Sequence, residues 1–304
     1  MQLKIKIKSG WNNTSLFGIV LIAPLLLWIV VMIVYPLISS IWMSLTDVDF
    51  LGINSNFVGI SNYIELITDV EFWTAMGKSM IWTIGNALLQ LILGFTTALI
   101  INQQFKGKSF VRIWIILSWI IPTIVLAIIW RWILNSSFGI LNYILQLFNF
   151  VEQPIDFLGS FQLAMPTVIF INTWRWFPFL AIIILAALQT IPVEQYNAAS
   201  IDGANSFQKF IYITFPMMRP TLSVLGLIGT LWSINIFDVI YMLTRGGPAG
   251  ATETIPVFVY QKAFQEYAMN KASAAAVILF LFLSVFVVFY FKIEPTFRED
   301  NFLN

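Results

Sequence analysis

Two kinds of residue in this chain of 304 residues could do chemistry. Gly77-Lys78-Ser79 and Gly107-Lys108-Ser109 look like the closing residues of a phosphate-cradling loop. Such a loop needs another glycine five positions earlier, so that backbone amides can wrap a phosphate, and a strand before it. Phe72 and Asn102 stand there, so neither fragment reads as a nucleotide site. Lys78 is expected to cap the end of an apolar segment, and Lys108 to act as a topology charge. Histidine and cysteine are absent, which removes imidazole bases, thiol nucleophiles, disulfides and the commonest zinc ligands. No nucleophile stands beside an identifiable base. The second kind consists of polar side chains inside apolar runs, and Arg175 is the clearest. An arginine at the centre of a membrane helix costs about 2.5–3.5 kcal/mol, so it should face a cavity or a partner. Asn172, Trp176 and Phe179 lie within one helical turn of it. In the next apolar run Trp232, Asn235 and Asp238 recur every three residues as a second stripe.

The elements that must position these residues are membrane helices. Hydrophobic residues make up 59% of the chain and charged ones 10%, against roughly 25% charged in soluble domains, and the mean hydropathy is +0.85. Apolar runs at about 16–43, 74–101, 110–134, 163–190, 221–243 and 272–292 predict an all-α integral membrane protein with six spans. The division expected is a leader over 1–15, a membrane domain over 16–293 and a tail over 294–304. The first run is too long for a signal peptide and lacks a small-residue cleavage pattern, so it reads as an anchor, with kinks at Pro24 and Pro36. Trp42, Trp73, Trp82, Trp130 and Trp132 fall near span ends, where interfacial belts form. The net charge of +1 gives no surface for nucleic acid.

Lysine and arginine set the orientation. With the N-terminus inside, the inner segments hold Lys4, Lys6, Lys8, Lys106, Lys108, Arg112, Lys209, Arg219, Lys292 and Arg298. Loops 46–73 and 135–162 hold none and carry Asp47, Asp49, Glu65, Asp69, Glu71, Glu152 and Asp156 instead. Only the third outer loop has basic residues, Arg245, Lys262 and Lys271. Both termini and the loop 190–220 are thus expected in the cytoplasm. That loop is longer than an ordinary linker, and its spacing predicts two short helices meeting at Gly203. Lipid headgroups are one possible partner for it, but they favour a polar face rich in lysine and arginine, and residues 194–220 contain only Lys209 and Arg219.

The spacing Ala198-Ala199, three residues, Gly203, nine residues, Ile213, one residue, Phe215-Pro216 resembles the EAA motif of binding-protein-dependent ABC importer permeases. Ile201-Asp202-Gly203-Ala204, the segment Thr244 to Thr254 around Gly246-Gly247-Pro248, and Trp174-Arg175 followed by Pro178-Phe179 are similar to the carbohydrate-uptake branch, which includes maltose-type and glycerol-phosphate-type permeases. The family's glutamate is Asn197 here, and its leucine before the proline is Phe215. The first exchange removes a carboxylate that could meet a basic residue on an ATPase.

The resemblance implies a type I importer permease fold with a cytoplasmic coupling helix pair between spans four and five. The chain would be a transport subunit with no catalytic site and no cofactor of its own. ATP and Mg would be bound by two copies of a partner ATPase, beside a second related permease and an extracytoplasmic solute-binding protein, in a bacterial or archaeal plasma membrane. Asn197, Ala198, Ala199, Asp202, Gly203, Ala204 and Pro216 would form the ATPase-coupling surface. Asn172, Arg175, Trp176, Phe179, Trp232, Asn235 and Asp238 would line the solute pathway, since sugar rings stack on aromatics while hydroxyls seek Asn, Asp and Arg. The same polar residues are open to a packing role, with Arg175 and Asp238 pairing with each other or with the second permease. An ATP-independent carrier or channel is the competing class. It usually places several carboxylates or histidines in the membrane, whereas Asp238 is the only clear carboxylate in a span here.

Overall fold

A computed structural model of the chain describes residues 13–48 and 55–294. Lys4, Lys6 and Lys8 of the leader, Asp49, and the tail with Arg298 lie outside the described residues. Among the described residues five helices are long and apolar enough to cross a membrane: 18–44, Val70–Asn102, Ala164–Leu188, 206–234 and Met269–Ile293. The broken pair Lys108–Ile120 and Thr123–Ile133, bent by 99°, passes the same test when its two halves are taken together and brings the number to six if it is one span. Pro122 explains the break, because it disfavours helical backbone at Ile121 and cannot donate to the preceding turn.

In chain order the first span is α1 (Asn13–Ile29), a π turn (Val30–Val34) and α2 (Tyr35–Ser44). Strands 46–48 and 55–57 pair antiparallel, with Thr46 opposite Phe57. Then come α3 (Ser61–Thr68), α4 (Val70–Asn102), the broken span α5 (Lys108–Ile120) and α6 (Thr123–Ile133), α7 (Ile140–Leu147) and α8 (Ala164–Leu188). The loop 190–220 contains α9 (Val193–Ile201) and α10 (Ser206–Lys209), and α10 runs through a second π turn (Phe210–Thr214) into α11 (Phe215–Ile234). The chain closes with α12 (Asp238–Thr244), α13 (Ile255–Phe264) and α14 (Met269–Ile293).

Both π turns end two residues before a proline. Pro36 and Pro216 would clash with the carbonyls of Met32 and Tyr212 in a regular helix. The helix widens instead, so that the Tyr35 amide reaches the Val30 carbonyl and the Phe215 amide the Phe210 carbonyl. Pro24, by contrast, is carried inside α1 without a break.

Helices α4 and α8 make the central crossing. A Cβ on Gly94 would lie 3.1 Å from the Leu180 Cβ, and one on Gly85 would lie 2.9 Å from the Ile169 Cδ1. Between these close approaches the Asn172 Nδ2 donates to the Asn86 Oδ1 at 2.6 Å, both side chains fully buried. Trp82 corrects the belt expectation: it is only 1% exposed and its indole donates to the Ser233 carbonyl at 2.9 Å. A carbonyl in the last turn of α11 thereby gains a side-chain partner inside the core. Trp130 is also partly buried against this core, whereas Trp42, Trp73 and Trp132 are exposed.

The bundle has an acidic end, with Glu65 and Glu71, and a basic end, with Lys108, Arg112, Lys209 and Arg219. At the acidic end Lys262 pairs with Glu71 at 3.1 Å and Glu266 at 2.9 Å, and Lys271 pairs with Glu65 at 2.9 Å. Two of the three basic residues that break the charge asymmetry of the loops are thus matched by carboxylates. Gly94→Leu should wedge α4 from α8 and destabilise the fold by about 1–3 kcal/mol, as overpacking does. Thermal unfolding in detergent should show a lowered Tm, while Gly77→Ala, with nothing within 4 Å of the added methyl and a better helix former in place of glycine, should not lower it.

Candidate functional site

At the basic end, α9 closes on a glycine-dependent cap. Gly203 has φ +78°, its amide donates to the Ser200 carbonyl, and the Ala204 amide reaches back to the Ala199 carbonyl at 2.9 Å. This bonding pair ends a helix through one left-handed residue, which glycine adopts without a Cβ penalty. Asn205 then starts α10 with a reciprocal capping box to Gln208. The elbow is held to the bundle by Tyr196, whose hydroxyl hydrogen-bonds that of Thr214 at 2.9 Å. Tyr196 and Ile213 also pack on a core of Ala98, Leu185, Leu188 and Met218.

Asn197, Ala198, Asp202, Gly203 and Pro216 are exposed, and Ala199 and Ala204 half-buried. No residue of α9 is buried, and large apolar side chains stand out beside it: Ile201 is 88% exposed and Phe207 71%. The expected pair of short helices is corrected on one side. The second helix is the base of the 206–234 span, because the π turn absorbs Pro216 without ending the helix. A displacement of the elbow therefore reaches the membrane through one continuous helix.

In mid-bundle the predicted pathway residues separate into two groups. Trp176, Phe179 and Trp232 come together, with ring centroids 6.1–6.3 Å apart. They line an open cavity of about 140 Å³ with Gln90 and Ser233. Arg175 and Asp238 form the other group, 3.8 Å apart. The Arg175 Nη1 donates to the Thr123 hydroxyl at 2.7 Å, and that hydroxyl donates to the Asp238 Oδ2 at 2.7 Å. The guanidinium also lies 5.7 Å from the Trp176 ring, which joins the groups. Asn172 is turned inward to Asn86, and Asn235 bonds the Leu231 carbonyl of its own helix. The second expected stripe is corrected: α11 ends at Ile234, Asn235 sits in the turn, and Asp238 begins α12. The Trp176 Nε1 and Ser233 Oγ are buried and have no hydrogen-bond partner among the described residues.

Residues 90–299 match the model of the binding-protein-dependent transport system inner membrane component. The chain belongs to this permease family. It is 34% identical over 287 residues to the trehalose/maltose transport system permease protein MalF of Thermococcus litoralis, covering 93% of this chain and 95% of that one. It is 31% identical over 298 residues to the multiple sugar-binding transport system permease protein MsmF of Streptococcus mutans, covering 98% and 100%. Its fold matches a chain of a bacterial ABC transporter involved in import of the acidic polysaccharide alginate, with TM-score 0.83, 22% identity, and 94% and 98% of the two chains covered. The permease is thus a multi-pass transport subunit with an importer permease fold.

Thr123 was missed in the sequence, although a signal was present: Pro122 breaks an apolar run, so the polar residue after it begins a helix inside the membrane. Asn86 and Gln90, which link Asn172 to the cavity, gave less to find. At the acidic end of the permease, Gly246-Gly247-Pro248 belongs to a closed loop in which the Thr252 hydroxyl donates to the Gly247 carbonyl at 2.9 Å. Lys78 donates to the Gly250 carbonyl, and Ser79 accepts from the Ile255 amide at 2.8 Å. Lys78 therefore holds this loop, a more specific task than capping α4. Burial raises the Glu253 carboxyl above its ordinary value, against the pull of Lys78. Above the ordinary carboxylate pKa the unfolded chain has released this proton while the folded one still binds it, so stability falls as pH rises through that window. Glu253→Gln should remove the fall and leave the protein more stable than the parent at neutral pH, measured by denaturant unfolding in detergent at pH 4 to 8.

Proposed function

We propose that this permease moves a saccharide through the aromatic cavity in an ATP-driven importer. The observation that carries the reading is the Trp176, Phe179 and Trp232 cluster beside a hydrogen-bonded polar group in mid-membrane. Aromatic faces suit the apolar faces of sugar rings, and the Gln90 amide on the cavity wall suits the hydroxyls. The names of the trehalose/maltose and multiple-sugar relatives support the same solute class. A rival carrier driven by protons usually places several carboxylates or histidines in the membrane, whereas Asp238 is here bonded to Thr123 and paired with Arg175.

The basic end faces the cytoplasm in this reading, following the loop charges, and both termini lie on that side. A second related permease completes the pathway, two ATPase subunits bind ATP and Mg, and an extracytoplasmic binding protein delivers the solute to the acidic end. The structural neighbour crystallised with a periplasmic protein carrying an alginate pentasaccharide supports that last role. Asn197, Ala198, Ala199, Asp202, Gly203, Ala204 and Pro216 present the elbow to an ATPase. Closure of the ATPases would push α9 and α10, and the shift would travel along 206–234 to the cavity as a rigid-body change. Since Asn197 carries no charge, contact there rests on shape and on exposed Ile201 and Phe207.

The reconstituted complex should hydrolyse ATP several-fold faster with a binding protein loaded from a saccharide panel. Failure of every sugar would sink the solute assignment and leave the importer intact. Gly203→Val places a β-branched residue at positive φ, where a side chain costs about 1–2 kcal/mol. It should insert normally yet lower transport by about tenfold or more, while Gly203→Asn, which tolerates that backbone, should retain most of it. Unimpaired transport by the valine variant would remove the elbow from the coupling path.

A further inference from the structure

The sugar reading leaves open which saccharides pass, and the charges of the pathway bear on that. Arg175 is the twelfth residue of the 25-residue α8, and its side chain is 15% exposed. Its charge is met by Asp238, and Thr123 joins them with correct polarity, accepting from the guanidinium and donating to the carboxylate. The Asp238 side chain is 53% exposed, so the carboxylate is open on one side while bonded on the other. The residues lining the adjacent cavity include none that titrates. Lys78 is engaged at the acidic end by the Gly250 carbonyl, and Arg131 lies in the last turn of α6, two turns beyond Thr123.

We propose that the Arg175–Asp238 pair sets the charge selectivity of the permease, so that this chain contributes a pathway of zero net charge that accepts neutral saccharides and rejects acidic ones. This rests on the saccharide reading above. Without Asp238 the guanidinium would attract a uronate carboxylate. With Asp238 in place that attraction is cancelled, and an acidic sugar entering the apolar-walled cavity must give up water without gaining a countercharge. A neutral sugar loses far less and keeps the same stacking. The pair also accounts for how a single arginine can be kept in mid-membrane without making the pathway selective for anions.

The test measures equilibrium binding of a labelled glucose trisaccharide and a labelled trimeric uronate to the reconstituted complex without binding protein, whose own selectivity then cannot enter. The parent should favour the neutral sugar on the order of tenfold. Asp238→Asn should narrow or reverse that ratio by strengthening uronate binding, and Arg175→Gln should widen it. The double variant Arg175→Gln with Asp238→Asn should return to the parental ratio. Thr123→Val, which removes the bridging hydroxyl and keeps both charges, should leave the ratio near the parental value. A purely structural role would weaken both sugars alike in the single variants. If both sugars bind and Asp238→Asn leaves their ratio unmoved, the charge inference falls and the saccharide reading stands. If neither sugar binds any form, both fall.

Discussion

A guanidinium in the middle of an apolar helix needs an oxygen to donate to and a charge to balance it, and much of the mid-bundle is arranged around that need. Arg175 obtains both from places where neighbouring helices are interrupted. Thr123 begins α6 after the Pro122 elbow, and Asp238 begins α12 after the turn that ends α11. An unbroken span could present side chains at either place, but only a break brings a new helix start into the bundle at membrane depth. Freed backbone groups at such breaks are tolerable where protein or a water-filled cavity receives them. The Trp82 indole on the Ser233 carbonyl shows one of them satisfied.

The continuous helices supply the frame against which these breaks are set. Gly85 and Gly94 let α4 approach α8 closely, and the buried Asn86–Asn172 bond fixes their register between the two contacts. Trp176 and Phe179 are consequently held on a rigid helix, which is the better support for a binding surface. Trp232 completes the cluster from α11, the one helix that also continues into the basic-end elbow. Cavity and elbow are therefore two ends of one element, and the π turn before Pro216 keeps that element whole. At the opposite end, the closed loop over 244–254 is tied to α4 through Lys78 and Ser79.

Much of this was legible in the residues. Arg175 was singled out by the cost of its charge, and Trp176, Phe179 and Trp232 do converge on a cavity. Gly203 was read as the meeting point of two short helices, and its φ of +78° with open space around it shows why glycine stands there. Other features were hidden because helical periodicity assumes a helix that continues. The three-residue spacing of Trp232, Asn235 and Asp238 looked like one face but crosses a helix end. Trp82 looked interfacial by position in the chain, since only the packing of α11 against α4 shows that an indole is needed in the core.

By itself the sequence determined the medium and that the chain crosses it several times, because apolar length and the low share of charge permit few other solutions. It also determined the family, through residues at 198–216 and 244–254, and the presence of a mid-membrane charge that must be answered. Tertiary structure alone decided how it is answered. Which hydroxyl bridges Arg175 to Asp238, which helix starts inside the membrane, and which aromatic rings share a cavity depend on contacts between residues 52 to 115 positions apart in the chain. Such contacts follow from how helices cross, and the spacing along any one helix carries no record of the crossing.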